Sequence, residues 1–338
     1  IQNTYRYGMA ITATTSVLTG EDWKYAKDIK PGDWVFNRLG KPVRVKTVQT
    51  YRAEDCCRVT FDDSLSVDGD MHLSMHTEDQ HYRYAVSKYK GLKKRRSAPK
   101  LRSVVEMQEI GLFYKPYTKM FSVPTTEPIQ LPHQPLGIPP FVYGLWFFGR
   151  IRRNQIKIPY EFLDDAIEKL KNAGYQVEKI GPYYGKYERI RTNPSIWDQL
   201  RGLQTHKMPI QYLNGSEEQR LELLQGILST KPCKTINRVG RFAFRTKKKH
   251  LSVTVQYLSE SLGAKTTLSI DKTRKTYDLK VTRIIPFLPQ MGPKRPTAHL
   301  ARRYVKSIER IPAQLCVHIE TDEKDGTFLV GEGFISCR

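Results

Sequence analysis

The sequence predicts β-structure at both ends of the chain and a duplicated α/β unit between them. Runs of alternating hydrophobicity, such as Val43–Val45 and Val59–Phe61, fill the first part, with a turn at Lys30–Asp33. Two segments with the order α-β-α-β-β follow in the middle, and short strands return from Tyr304 onward. A domain inserted into another domain explains why similar β segments flank the central unit.

The central duplication is visible as matching elements in its two halves. A helix over Tyr160–Asn172 has its apolar residues on one face and is stopped by Gly174. Asn193 is predicted to cap the next helix, with Pro194 at the first helical position. The other predicted elements are a helix at Phe141–Phe148 and strands at Gln155–Ile158, Gln176–Ile180 and Tyr187–Thr192 in the first half, and a helix at Glu217–Leu228, a strand at Arg241–Thr246, a helix carrying Leu251–Leu262 and strands at Thr266–Ile270 and Tyr277–Val281 in the second.

The charge of the chain favours a polyanionic partner. Lys and Arg outnumber Asp and Glu by 56 to 34, which gives a formal net charge of +22. Counterion release from phosphate backbones makes nucleic acid the usual partner of such a chain, although a basic solvated surface is the alternative. From His81 to Arg102, tyrosines alternate with cations, as in a groove that stacks bases, or in a solvated basic loop. Its densest basic run is Lys93, Lys94, Arg95 and Arg96.

Several classes of protein are excluded by composition. No apolar run approaches the roughly 20 residues of a membrane span, and no signal-peptide pattern opens the sequence. The odd number of cysteines and the lack of a C-x-x-C motif argue against a zinc site or a disulfide framework. We therefore expect an intracellular protein, cytoplasmic or nuclear, without a membrane partner. The cysteines are Cys56, Cys57, Cys233, Cys316 and Cys337.

Several motifs, in order along the chain, resemble those of inteins that carry a LAGLIDADG homing endonuclease domain. Four of them are similar to the splicing blocks: Ala10–Leu18 (AITATTSVL) with Ile29–Val35 (IKPGDWV), Ser66–His72 (SVDGDMH), Leu315–Glu320 (LCVHIE) and Thr327–Arg338 (TFLVGEGFISCR). Three are similar to the endonuclease blocks: Tyr143–Arg150 (YGLWFFGR), His206–Pro209 (HKMP) and Leu223–Pro232 (LLQGILSTKP).

The resemblance implies a fold and a domain order. The fold class is an all-β, horseshoe-like Hint splicing domain, discontinuous in sequence, with an inserted α/β, pseudo-two-fold LAGLIDADG domain. Residues 1–9 would be a remnant of the host protein, the N-extein, which makes that host a partner in cis. The Hint domain covers 10–80 and 299–338, a basic DNA-recognition-like insert covers 81–122, and the endonuclease-like domain covers 137–285. Such elements are mobile.

Most splicing positions hold residues that lack the family's chemistry. The resemblance implies a Cys or Ser nucleophile at the first intein position, which here is Ala10. Alignment on Gly333–Ser336 places Cys337 at the penultimate histidine and Arg338 at the final asparagine, and arginine cannot form a succinimide. We predict no splicing.

Other positions of the splicing blocks point the same way. The expected aspartate near the C-terminal strand is His318, and a further histidine position holds Gly326. Only His72 remains, where it would protonate or strain the upstream amide, or be a satisfied polar residue beside a turn. Some family members begin with alanine and use a later nucleophile, for which Cys337 is a candidate, and Ala10 is also a substitution that crystallographers make.

The nuclease positions are also replaced. The resemblance implies one acid at the end of each paired helix, and these carboxylates hold divalent metal ions. Here the positions fall on Gly149 and Lys231, and the family's lysine falls on His206. We predict no metal site and no cofactor, with Mg²⁺ needed only if nuclease activity survives.

The predicted function is that of a degenerate intein, inactive in splicing and in DNA cleavage, that retains binding to double-stranded DNA. The alternative is an active endonuclease or splicing domain with non-standard residues. Cations on or beside the predicted strands are the candidate DNA contacts, with solvated strand faces as the alternative. They are Arg150, Arg152, Arg153, Lys157, Arg189, Arg191, Arg241, Arg245, Lys272, Arg274 and Lys280, together with Lys93–Arg96.

Overall fold

A computed structural model divides the chain into two compact units. One unit consists of Ile1–Ile129 and Leu300–Arg338, and the other of Gln130–His299. In the part of the chain that the structure describes, no helix is both long enough and apolar enough to cross a membrane. The described residues are 9–88, 99–152, 154–200, 208–230, 234–237, 241–282, 301–324 and 326–338.

The first unit begins with short strands. In chain order these are β1 (Ile11–Thr12), β2 (Ser16–Leu18), β3 (Trp23–Tyr25), β4 (Trp34–Phe36), β5 (Pro42–Ala53), β6 (Cys56–Phe61), β7 (Ser66–Asp70) and β8 (Ser74–Asp79). After them come α1 (Gln80–Lys88), β9 (Lys100–Ser103), α2 (Val104–Ile110), β10 (Phe113–Lys115), β11 (Thr118–Lys119) and β12 (Phe121–Pro124). β9 and β12 both pair with β8, so β9, within the predicted 81–122 insert, and β12, at its end, belong to the sheet of the first unit.

The second unit contains two sheets with the same strand order. Its first half has α3 (Pro140–Gly149), β13 (Arg150–Arg152), β14 (Gln155–Pro159), α4 (Leu163–Asn172), β15 (Gln176–Tyr183), β16 (Tyr187–Asn193) and α5 (Ile196–Gln199). Its second half has α6 (Ile210–Leu213), α7 (Glu217–Leu228), β17 (Lys234–Asn237), β18 (Arg241–Thr246), α8 (Lys249–Ser261), β19 (Lys265–Asp271) and β20 (Thr276–Thr282). The sheets run β13-β14-β16-β15 and β17-β18-β20-β19.

Serine side chains cap two described helices of the second unit, one of them at a residue other than the predicted one. α7 begins after Ser216, whose hydroxyl accepts from the Gln219 N–H in a capping box. The predicted cap at Asn193 is wrong, because β16 continues through Asn193 and the next helix begins only at Ile196. Ser195 caps α5 instead, since its Oγ accepts from the Asp198 N–H at 3.4 Å.

The last strands of the chain complete the sheet of the first unit. They are β21 (Arg302–Ile311), β22 (Gln314–Thr321), β23 (Phe328–Val330) and β24 (Ile335–Cys337). Together with the earlier strands they form a fourteen-stranded sheet among the described residues. Within it, β22 pairs with both β1 and β5, and β1 also pairs with β7. The first and last parts of the chain therefore share one hydrogen-bonded layer.

The core of the second unit is organised by close contact between α3 and α7. A Cβ atom on Gly144 would lie 2.4 Å from the Leu223 carbonyl oxygen, and one on Gly226 would lie 2.1 Å from the Phe141 carbonyl oxygen. These separations are far shorter than van der Waals contact, so only glycine lets the two backbones approach this closely. Gly144 follows Phe141 by three residues, and Gly226 follows Leu223 by three residues, so the two glycines hold matching positions in the two helices.

The glycine contact predicts a stability difference between two alanine variants. We expect Gly144→Ala to lower the free energy of unfolding by about 1–3 kcal/mol, because the added methyl group overpacks the helix pair. Gly137→Ala is the matched control, since its Cβ would meet nothing within 4 Å. Urea unfolding of both variants measures the difference. Equal stabilities would show that the helices separate freely and that the contact is not a constraint.

Candidate functional sites

The peptide bond between Met9 and Ala10 is held at both of its polar ends. The Ala10 N–H donates to Asp70 Oδ1 at 3.3 Å, and Ala10 is only 1% exposed. On the other side, His318 Nδ1 lies 2.9 Å from the Met9 carbonyl oxygen. Because a carbonyl oxygen only accepts, Nδ1 carries the proton of this hydrogen bond. Donation to the carbonyl oxygen polarises the carbon towards nucleophilic attack.

Asp70 is the polar centre of this junction. Its carboxylate is 4% exposed and accepts from the Ala10 N–H, from the Tyr51 hydroxyl and from the His72 N–H, the last at 3.0 Å. Burial and the hydrogen bond to Asp70 raise the pKa of the Tyr51 hydroxyl, so it stays protonated at neutral pH. The carboxylate therefore has three donors and is a satisfied buried acceptor.

A buried thiol lies beside the junction. Cys316 packs with Ala10, Ala53 and Cys56, and its Sγ is 3.9 Å from the Cys56 Sγ. In the register of β22 against β5, Cys316 stands directly opposite Tyr51. Burial, followed by the neighbouring Cys56, raises the pKa of the Cys316 thiol. Cys316 is therefore a neutral thiol at neutral pH, and attack by its sulfur requires removal of the proton.

The structure brings only some of the predicted splicing residues to this peptide bond. Ala10 and His318 meet there, whereas the His72 side chain is exposed and only its backbone N–H contacts Asp70. Cys337 is fully buried in the larger core of the first unit, where burial raises the pKa of its thiol. Arg338 exchanges backbone hydrogen bonds with Ser74 at 2.9 and 3.0 Å.

Sequence reasoning missed three groups at the junction. Asp70 lies inside the motif that directed attention to His72, and Cys316 lies two residues before His318 in the motif that directed attention to the histidine. Side chains along a strand point alternately to its two faces, so residues 316 and 318 of β22 share one face. This alternation was the sequence signal that could have identified Cys316 from His318. Tyr51 belongs to no motif, and only the pairing of β5 with β22 identifies it.

At the ends of the paired helices of the second unit, the backbone leaves little room for a metal ligand. A Cβ on Gly149 would lie 2.6 Å from Ile156 Cγ2, 3.0 Å from Thr230 Cγ2 and 3.1 Å from the Lys157 carbonyl oxygen. No group of three or more His, Cys, Asp or Glu side chains that could hold a metal ion occurs among the described residues. Lys231 and His206 lie outside them. The described residues at this centre do not fit a divalent metal ion.

A cation follows the first helix directly. The Arg150 guanidinium carbon lies 4.8 Å from the centroid of the Trp146 ring and 5.2 Å from that of Trp197. These distances are typical of cation–π contacts, which fix the position of a guanidinium without neutralising its charge. The end of α3 therefore has a fixed positive charge where the resemblance implied a metal-binding acid.

The first sheet of the second unit presents a basic outer face. Lys157 on β14 is paired with Arg189 on β16, and these cations alternate with the buried Ile156, Ile158 and Ile190. The Lys157 ammonium lies 5.1 Å from the Tyr187 ring centroid and 5.6 Å from the Tyr183 ring centroid. Arg191 is exposed and pairs with Glu178 at 3.2 Å. Arg152 is exposed on the neighbouring β13.

The second sheet contains an arginine that is paired with a carboxylate. Arg245 on β18 donates two hydrogen bonds of 2.6 Å to Asp278 on β20, and these bonds lower the pKa of the Asp278 carboxyl. Lys280 is exposed on β20, and Lys272 and Arg274 are exposed in the turn before it. Arg241 is the first residue of β18, and its side chain lies outside the described part of the structure. Arg153 and the Lys93–Arg96 run lie outside the described residues.

Comparisons with known proteins found one similar sequence and several similar structures. No family model matches. The replicative DNA helicase DnaB of Mycobacterium intracellulare is 26% identical over 276 residues, which cover 79% of this chain and 45% of that protein. The chain therefore spans less than half of the length of that relative. The MchDnaB-1 intein crystal structure aligns with 97% of this chain and 99% of its own at 9% identity and a TM-score of 0.30.

A second kind of solved structure aligns with a smaller part of this chain. The homing endonuclease I-DmoI, solved in complex with DNA and Mn, aligns with 42% of this chain and 90% of its own at 13% identity and a TM-score of 0.29. This chain resembles an intein and a homing endonuclease. These are the two families that the motifs predicted.

The close packing around Gly149 predicts how an aspartate at this position would affect stability and metal binding. We expect Gly149→Asp to lower the free energy of unfolding by about 1–3 kcal/mol, because the side chain overpacks against Ile156 and Thr230. We also expect no gain of Mn²⁺ binding by calorimetry. Gly149→Ala separates the steric effect from the effect of the charge. An aspartate variant of unchanged stability that binds Mn²⁺ stoichiometrically would contradict the fit described here.

Proposed function

We propose that the chain is a degenerate intein whose second unit binds duplex DNA without cleaving it. The observation behind this proposal is the closed space around Gly149, where the motif would need a metal-binding carboxylate. The neighbouring Arg150 adds a fixed positive charge at the same helix end. Cleavage of this type needs oxygen ligands for divalent metal ions, whereas phosphate binding needs only cations.

The outer face of the first sheet supports binding to phosphates. Lys157 and Arg189 stand side by side on adjacent strands, and the aromatic rings of Tyr183 and Tyr187 hold the lysine in place without removing its charge. Cation–π contacts of this kind leave an ammonium group able to pair with a phosphate. The net charge of +22 acts in the same direction over longer distances.

A host protein in cis is part of the same proposal. Residues 1–9 precede the first splicing motif and would belong to that host. Since the relative found by sequence is a DnaB helicase, a replicative helicase is the class of host that we propose. An uninterrupted DnaB gene is then the source of the DNA to test for cleavage.

Loss of the Lys157 charge tests the DNA-binding face. We expect Lys157→Ala to weaken binding to a mixed-sequence duplex and to lower the slope of log K against log salt by about one unit. Lys171→Ala is the matched control, because it removes the same charge from the exposed surface of α4, a helix that packs under this sheet. Fluorescence anisotropy over a salt series measures both. Equal effects of the two substitutions would show that only net charge matters.

Cleavage is assayed on the same preparation. We expect a duplex from an uninterrupted DnaB gene to stay intact with Mg²⁺ or Mn²⁺, under conditions in which anisotropy shows it to be bound. Metal-dependent cutting by the purified protein, lost when the basic face is neutralised, would overturn the proposal of a non-cleaving unit.

The first unit favours a second candidate function, which is acyl transfer at Met9. The sequence predicts no splicing because Ala10 has no nucleophile, but Cys316 lies in the same small buried cluster as Ala10, which supports Cys316 as the later nucleophile. Its sulfur would form a bond to the Met9 carbonyl carbon while the bond to the Ala10 nitrogen breaks. The thiol proton ends on that nitrogen, so the products are a Met9–Cys316 thioester and a free amino group at Ala10.

Hydroxylamine capture tests this second candidate. We expect the full chain to release residues 1–9 as a hydroxamate, because hydroxylamine cleaves thioesters, and we expect Cys316→Ala to release none. Cys337→Ala keeps the release, since Cys337 packs in the larger core and not with Ala10. Mass spectrometry of the released peptide measures all three. Release from Cys316→Ala, or no release from the unaltered chain, would contradict acyl transfer to Cys316.

A further inference from the structure

Two polar groups, Tyr51 and Asp70, adjoin Cys316 and the nitrogen of Ala10. Cys316 on β22 stands opposite Tyr51 on β5, and Tyr51 packs against the small cluster that contains Cys316 and Ala10. The Tyr51 hydroxyl donates to Asp70 Oδ2, and the other oxygen of the same carboxylate accepts the Ala10 N–H at 3.3 Å. Hydrogen bonds thus link the leaving nitrogen to Tyr51 through Asp70, and Tyr51 is the cross-strand neighbour of Cys316.

We propose that Tyr51 and Asp70 form a proton relay that carries the thiol proton of Cys316 to the leaving nitrogen of Ala10. This inference rests on the proposed acyl transfer at Met9. The reaction has two chemical requirements, and the relay assigns a group to each: removal of the thiol proton and protonation of the leaving nitrogen. A neutral thiol is a weak nucleophile, and an amide nitrogen leaves only when it is protonated.

Every group in the relay returns to its starting state. The Tyr51 oxygen takes the thiol proton while its own proton passes to the Asp70 carboxylate. A half-turn of the carboxyl group then exchanges its two oxygens, and Asp70 gives the proton to the Ala10 nitrogen as the carbon–nitrogen bond breaks. The net change is one proton moved from sulfur to nitrogen, so no further reactant is needed.

The surroundings of the relay assign this role to Asp70 rather than to His72. The His72 side chain is exposed, and its backbone N–H, at 3.0 Å from Asp70 Oδ1, helps to fix the carboxylate. The titratable groups that face Asp70 are Tyr51 from β5, Cys56 and Cys57 from β6, and Cys316 from β22. His318 acts on the opposite side of the peptide bond, at the Met9 carbonyl oxygen.

Hydroxamate release from the full chain tests the relay. We expect Tyr51→Phe and Asp70→Asn each to slow the release by about 100-fold or more, which is the usual size of a general acid–base contribution. Tyr25→Phe and Asp68→Asn are the matched controls. Tyr25 is exposed on β3, and Asp68 on β7 pairs with Arg58. Both controls should release at the rate of the unaltered chain.

The pH profile separates a relay from a merely structural role. Burial raises the pKa of the Cys316 thiol, so without a relay only the rare thiolate attacks, and the rate rises about tenfold for each pH unit. We expect that steep profile for Tyr51→Phe and a nearly flat profile for the unaltered chain between about pH 6.5 and 8.5. A Tyr51→Phe variant with full rate and a flat profile overturns the relay.

The outcomes also separate the relay from the function on which it rests. If the unaltered chain releases no hydroxamate, acyl transfer fails and the relay fails with it. If the unaltered chain releases the peptide and both relay variants match it, only the relay fails. Because Asp70→Asn also alters three buried hydrogen bonds, its folding is checked by urea unfolding. If Asp70→Asn is unfolded, Tyr51→Phe, which keeps the aromatic ring, decides the question alone.

Discussion

In the first unit, the pairing of β22 with both β1 and β5 determines which groups meet at the Met9–Ala10 bond. Strand pairing sets every cross-strand neighbour at once, because a shift by one residue would turn each side chain to the opposite face. With the observed register, Cys316 stands opposite both Thr12 and Tyr51, and His318 reaches the Met9 carbonyl oxygen. β7 pairs with the other edge of β1 and brings in Asp70. The site is therefore a product of sheet register.

In the second unit, the corresponding constraint is backbone contact between α3 and α7. Gly144 and Gly226 allow the two helices to approach so closely that neither position tolerates a methyl group without a shift. The same approach brings Thr230 close to Gly149, at the helix ends where the resemblance placed metal-binding acids. The packing of this helix pair and the binding of a metal ion at its end thus depend on different residues. Apolar patterning and two glycines maintain the interface, while the residues needed for metal binding are absent from the part of it that is described.

The sequence was most informative where one local signal decided the structure. Helix α7 lies at the predicted residues, because a serine cap begins it and its apolar positions pack against α3. The Asn193 cap failed because two signals competed. Asn193 is also the last residue of β16, and strand pairing with Gln176 on β15 prevailed, so the cap moved to Ser195. Local preferences of this kind are weak compared with tertiary contacts.

The sequence by itself determined the order of the main elements, the basic character of the chain and the lack of a nucleophile or a metal-binding side chain at Ala10 and Gly149. These properties depend on residue identity and on periodicity, which are visible along one dimension. Only the tertiary structure decided which groups surround the Met9–Ala10 bond. Tyr51, Asp70 and Cys316 are far apart in sequence, and they meet because non-local strand pairing buries them against one another. Burial and proximity also raise the pKa values of Tyr51 and Cys316, and neither effect exists before the strands pair.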